Sequence, residues 1–312
     1  MTTGSEVAAS AAEAIRKGSK SFAAAARLFD RETRESAILL YAWCRHCDDV
    51  VDGQALGHST GEGSPADVAS RLATLEAQTR AALDGAPTRE PAFAGLATVV
   101  RRHAIPERYP LQHLDGFRMD VAGRRYETAA DTLDYCYHVA GVVGVMMGHV
   151  MGVRDPATLD RACDLGLAFQ LTNMARDLVE DAEVGRVYLP TVWLTEAGVP
   201  PGRLAAPEHR QRLAGLAARL LDVAEPYYAS AAIGIRALPP RAAWAIATAR
   251  GVYRQIGLEI RERGAAAWDT RVSTSPAQKV RHVGLGGVEA LMSRAQNPRA
   301  IPGRAGLYER PG

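Results

Sequence analysis

Apolar residues recur at spacings of three and four along most of the 312 residues, and no alternating strand pattern persists beyond a few positions. This periodicity predicts an all-α protein of roughly ten helices. Three helix starts are marked by a capping residue followed by proline: Ser64-Pro65, Asp155-Pro156 and Ser275-Pro276. Breaks fall at "GHSTGEGSP" (57–65), "DGAPTREP" (84–91), "VPPGRLAAPE" (199–208) and "LPP" (238–240). These spacers have the length and composition of interhelical loops rather than domain linkers. No repeat of fixed period is present, so a single domain spanning 1–312 is expected. Its ordered core should run from about 13 to 295, with flexible ends, because the tail after Gln296 is rich in Pro, Gly and Arg.

Composition narrows the class. With 47% hydrophobic and 23% charged residues the chain is globular, and a net charge of +2 gives no nucleic-acid footprint. Four cysteines, Cys44, Cys47, Cys136 and Cys163, are too few for a disulfide framework, and no signal segment opens the chain. A cytoplasmic setting is expected. The longest apolar run, 139–148, stops at His149, far short of the roughly 20 residues needed to span a bilayer.

Chemistry enters with "NMARDLVED" (173–181). At about 100° per residue, Gln170, Asn173, Asp177 and Asp181 share one polar stripe. Leu167, Leu171, Met174 and Leu178 lie directly beside it. A solvated stripe normally sits opposite the core-facing one; this one borders it, which places carboxylates at the edge of a cavity. A second stripe, in "YAWCRHCDDVVD" (41–52), brings together Tyr41, Arg45, Asp48 and Asp52. In each segment an Arg can pair four residues on with a different acid, Arg45 with Asp49 and Arg176 with Glu180. Asp48, Asp52, Asp177 and Asp181 are left without a helical partner.

Carboxylates at i and i+4 can converge on one hard cation. Mg²⁺ suits such a site, since it takes one or two carboxylates and completes its shell with water and substrate phosphates. Two such helices face to face would hold a diphosphate and stabilise pyrophosphate as a leaving group. A lone D-x-x-x-D is usually a solvated pair; the doubling, the core-like neighbours and the adjacent arginines favour the metal. "CRHC" (44–47) has no second Cys pair at zinc-like spacing, so both cysteines read as packed residues. His138 and His149, in or beside an apolar run, read as structural.

The chain resembles the squalene/phytoene synthase family, and within it the bacterial phytoene synthases, over about residues 18–293. The resemblance rests on "GSKSFAAAARLF" (18–29), "YAWCRHCDDVVDG" (41–53), "RYETAADTLDYCYHVAGVVGVMMG" (125–148), "AFQLTNMARDLVEDAEVGRVYLP" (168–190) and "WDTRVSTSPAQK" (268–279). It implies a single all-α isoprenoid-synthase domain with a central cavity. The implied reaction is the Mg²⁺-dependent (or Mn²⁺-dependent) head-to-head condensation of two geranylgeranyl diphosphates through a cyclopropylcarbinyl diphosphate to phytoene, in carotenoid biosynthesis. Proton loss ends that reaction, so no NADPH is expected.

The resemblance also assigns roles. Asp48 and Asp52 match the first metal motif, and Asn173, Asp177 and Asp181 the second, with Gln170 lining the site. Arg45, Arg176, Tyr253 and Arg271 match diphosphate-holding positions, a task suited to the guanidinium fork. Ser19 and Ser21 sit near a substrate phosphate, with Lys20 between them. The loop 182–190 is expected to close over the substrate and exclude water. Tyr126, Tyr188 and Tyr253 are candidates for cavity walls, with released pyrophosphate an equal candidate for the final proton acceptor.

The hydrophobic tunnel is expected to involve Phe22, Ala26, Tyr41, Val142 and Leu171. If the small side chains of 23–26 line it, they leave room for a C20 tail in preference to C15. A C40 product implies peripheral contact with the inner membrane face, through a patch that the sequence does not locate. The oligomeric state is left open. Rival readings are a C30 dehydrosqualene or squalene synthase, a chain-elongating prenyltransferase or cyclase, and a non-catalytic relative that would have lost the metal ligands. "DDVVD" satisfies the chain-elongating D-D-x-x-D pattern at the first cluster, whereas "RDLVED" does not at the second.

Overall fold

The computed structural model describes residues 20–51, 54–55, 58–59, 65–295 and 303–311, together with Val7, Ala11 and Glu13. Twelve helices are numbered here in chain order. They are α1 (Lys20–Ala26), α2 (Arg31–Val51), α3 (Pro65–Leu83), α4 (Pro91–His103), α5 (Arg108–Val121) and α6 (Ala129–Cys136). They continue with α7 (Val142–Val150), α8 (Pro156–Glu183), α9 (Thr191–Ala197), α10 (Arg210–Gly234), α11 (Pro240–Arg263) and α12 (Pro276–Met292). One antiparallel pair, Gln54–Ala55 with His58–Ser59, is the sole extended pairing among the described residues. The fold is all-α, as the periodicity required.

α8 is the axis of the bundle and packs against α7, α10 and α11. Asp155 starts it, accepting a hydrogen bond from the Thr158 amide at 2.9 Å, with Pro156 at the first helical position. Two glycines let helices touch backbone to backbone. A Cβ on Gly166 would stand 2.3 Å from the Ala140 carbonyl oxygen, and one on Gly144 would stand 2.3 Å from that of Ala162. The crossing of α8 with the α6–α7 segment therefore requires glycine at both contacts.

Between α6 and α7 lies one turn of π-helix, Tyr137–Gly141, formed within an otherwise continuous helix. Such a turn inserts a residue into the helical ladder and rotates everything after it.

The carboxy-terminal tail departs from the flexible end expected of it. Arg304 forms a two-pronged bond to Asp164 of α8, at 2.8 and 2.7 Å, and Asp164 is fully buried. Tyr308 donates its amide to Tyr227 and its hydroxyl to Asp134, while Arg310 reaches Asp160 at 2.5 Å. Composition signalled disorder, but it carries no information about a buried carboxylate 140 residues away that needs a cation. Ser19, Asp52 and most of the first dozen residues lie outside the described residues. No described helix is long and apolar enough to cross a membrane.

Candidate active site

A cavity of about 550 Å³ runs between α2, α8, α11 and the π-helix–α7 segment. Most of its wall is apolar, from Ala25 and Phe29 through Val143, Met147 and Phe169 to Ile246. One end is polar and carries Asp48, Gln170, Asn173, Arg176, Tyr253 and Arg271. Tyr41 and Asp48 of one stripe and Gln170 and Asn173 of the other thus line the same cavity, whereas Asp177 and Asp181 are not among its wall residues. On α8 the wall positions run from Thr158 and Arg161 through Gly166 and Phe169 to Asn173 and Arg176, the 3-4 spacing of one helical face.

The polar end has the character of a cation and phosphate site. The Asn173 carbonyl oxygen is buried with no hydrogen-bond partner among the described residues, an orphaned acceptor that a ligand would satisfy. Burial, and then the neighbouring Asp177 charge, push the Asp181 carboxyl up to about 7, a sign that the protein does not fully compensate its negative charge. The donor set is all oxygen, as Mg²⁺ prefers. Among the described residues no three carboxylate, His or Cys side chains converge tightly enough to hold an ion alone.

Asp177 is not left unpartnered, as the spacing had suggested. Arg176 grips it with two hydrogen bonds, Nε at 2.8 Å and Nη2 at 2.6 Å, and Arg271 approaches it at 3.0 Å. Glu180, expected to pair with Arg176, is instead bound by Arg271. The reason is position: the Arg176 side chain is 16% exposed and Glu180 is 53% exposed, so the buried guanidinium takes the inner carboxylate. Arg45 pairs with Asp49 at 2.8 Å, as its spacing required, and faces a smaller neighbouring cleft rather than the main cavity. Arg271 is held by its own segment: Trp268 donates to the Ala175 carbonyl of α8 at 3.2 Å, and Val272 and Thr274 are buried.

Several tunnel residues shift by one position. Ala25 and Phe29 face the cavity, whereas Ala26 is buried in the core. Leu171 packs in the core with Leu167 and Met174, and its neighbours Phe169 and Gln170 face the cavity. Val142, directly after the π-turn, is likewise core, and Val139 and Val143 form the wall. Tyr41 lies on the wall as expected, and for Ser21 and Phe22 the backbone alone is described.

Tyr126 and Tyr188 do not line the cavity. Tyr188 stacks on Tyr135 with ring centroids 4.7 Å apart, and both hydroxyls donate to Asp120, at 3.2 and 2.9 Å. Tyr126 packs edge-on against Tyr135 in the same cluster. This cluster anchors the segment after α8, and Asp120 gave no motif by which sequence could have found it. Phe169, stacked on Tyr253 at 4.1 Å, was also missed; its position four residues before Asn173 was the available signal.

A family model for squalene/phytoene synthase matches residues 15–278. The chain is 53% identical over 301 residues to a phytoene synthase of Pseudescherichia vulneris, covering 96% of this chain and 97% of the relative. It is 54% identical over 294 residues to a 15-cis-phytoene synthase of Enterobacter agglomerans, covering 94% and 99%. Its fold superposes on a ligand-bound dehydrosqualene synthase crystal structure with a TM-score of 0.81 at 27% identity, covering 92% of this chain and 99% of the other. With a mostly apolar cavity lined from both motif-bearing helices and this breadth of match, the chain belongs to the squalene/phytoene synthase family.

Proposed function

We propose that the protein is a prenyltransferase that condenses two geranylgeranyl diphosphates head to head to phytoene, a step of carotenoid biosynthesis. The observation that supports this reading is that Asp48 of one stripe and Gln170 and Asn173 of the other line a single, mostly apolar cavity. Relatives of 51–54% identity over nearly the full chain, all named phytoene synthases, support it over the C30 alternative.

Each end of the cavity has its own task. Arg176 and Arg271 are placed to hold diphosphate oxygens through forked, charge-assisted bonds. Asp48, Asn173, Asp177 and Asp181, with Asp52 outside the described residues, would hold Mg²⁺. Bound there, Mg²⁺ supplies neutralisation of the charge that builds on departing pyrophosphate. The apolar wall receives the prenyl tails and excludes water, which would otherwise quench a carbocation to an alcohol. In the first step a C–O bond of one diphosphate breaks, and the double bond of the second substrate attacks the allylic cation; a proton is lost as the cyclopropane ring closes. In the second step the remaining diphosphate leaves, the skeleton rearranges, and loss of one more proton gives the hydrocarbon with no reductant consumed. Phe169, Tyr253 and Tyr41 line the same cavity and would offer aromatic rings to such cations.

The test is extraction of hydrocarbons from protein incubated with geranylgeranyl or farnesyl diphosphate, with and without Mg²⁺ and NADPH. The expected result is phytoene from the C20 donor, dependent on Mg²⁺ and indifferent to NADPH. A C30 hydrocarbon from the C15 donor alone overturns the substrate assignment, and no product under any condition overturns the enzymatic reading.

A further inference from the structure

α12 presents an apolar face that no described residue covers. One side of the helix packs against α11, so closely that a Cβ on Gly286 would meet the Thr248 amide at 2.7 Å. The other side exposes Val280, Leu285, Val288, Leu291 and Met292, from 50% to 72% each. At 100° per residue these five fall within an arc of about 140°. A globular helix turns such an arc toward a core.

The charges around the stripe identify what would meet it. Arg281 stands inside the stripe and Arg294 just beyond its end, both exposed. Arg281 has no acidic partner among the described residues. Glu289, the helix's single acid, is turned inward to Arg250 at 2.7 Å. At the inner edge Trp244, 37% exposed, donates its indole N–H to the Val283 carbonyl at 2.7 Å. An apolar arc carrying an unpaired arginine, bordered by another and flanked by an amphipathic indole, matches an interfacial helix on an anionic surface.

We propose that this face of α12 docks the protein on an anionic lipid bilayer, with the helix axis lying in the membrane plane. A symmetric dimer through the same face fits less well, because it would pair two stripes that carry arginines and no outward-facing acid, Glu289 being turned to Arg250. The face also adjoins the cavity: Arg294 donates to the carbonyl of Leu238 at 3.0 Å, and Leu238 lines the cavity wall. A lipophilic molecule leaving near Leu238 would emerge beside the bilayer. The docking surface stands on this geometry alone, and its readout is lipid binding rather than turnover.

The experiment is flotation of the full-length protein with vesicles of phosphatidylcholine alone or mixed with phosphatidylglycerol. The wild type is expected to float with the anionic vesicles. Leu291→Ser with Met292→Ser should weaken partitioning roughly a hundredfold, since two exposed side chains lose their apolar burial. Arg281→Glu should weaken it at low salt and much less at high salt. Circular dichroism of each variant, expected to match the wild type, separates lost docking from lost fold. Wild-type protein that stays in the aqueous fraction with both vesicle types overturns the assignment, as does a folded double variant that floats like the wild type. A wild-type dimer that dissociates on the double substitution, with no vesicle binding, also overturns it and assigns the face to a second copy of the chain.

Discussion

Arg271 and Asp177, 94 residues apart in sequence, meet at 3.0 Å at the mouth of the cavity, and Arg176 grips the same carboxylate from the other side. The groups assigned to phosphate and to metal are thus each other's counter-ions. A diphosphate with its cations would offer both a better match, exchanging one set of ion pairs for another.

From this exchange, Asp177→Asn should leave the helical signal intact while replacing one accepting oxygen by an NH2 donor, which removes one prong of the Arg176 fork along with the charge. Turnover should fall by at least about 10²–10³-fold, the size expected when charge on a leaving group goes unstabilised. Product extraction checks it, and substantial residual activity would sink the two-stripe site.

Arg271→Gln removes one fork while the partly exposed position tolerates the change. The value of kcat/KM should fall roughly 10- to 100-fold, and inorganic pyrophosphate should become a correspondingly weaker inhibitor. An unchanged inhibition constant would place the diphosphate elsewhere.

Ala25, not Ala26, lines the cavity. Ala25→Phe should shift the preference from C20 toward C15 donors by about tenfold or more in direct competition. Ala26→Phe should instead overpack the core and cost about 1–3 kcal/mol of stability, visible in thermal unfolding, with donor preference unchanged.

Stability should decline in mild acid. His113 is buried, its Nδ1 bonded to the His138 carbonyl and its Nε2 without a partner; burial lowers its pKa to about 4. Between that value and the ordinary 6.5 the unfolded chain binds the proton more tightly. The contribution is therefore fully present above 6.5 and is lost as pH falls toward 4, by about 3 kcal/mol for this one group. Urea unfolding at pH 7 and pH 5 should show a steeper loss for the wild type than for His113→Gln; equal losses would refute the assignment.

The tail is a structural strap. Arg304→Ala leaves Asp164 buried and without its guanidinium, and should cost about 3–5 kcal/mol. A midpoint of thermal unfolding within a degree or so of the wild type would show the strap to be dispensable.

The sequence by itself determined the helices, the acidic stripes and their neighbours, because amphipathic periodicity and i to i+4 pairing are local and survive in one dimension. Arg45 with Asp49 is such a case. Only the tertiary structure decided that Arg176 and Arg271 share Asp177, that Asp120 and Asp164 bind tyrosines and the tail, and which tunnel residues face inward. A buried charge is satisfied by whichever opposite charge the packing brings near, however far along the chain, and one π-turn rotates a helical face by a residue without altering its apolar pattern.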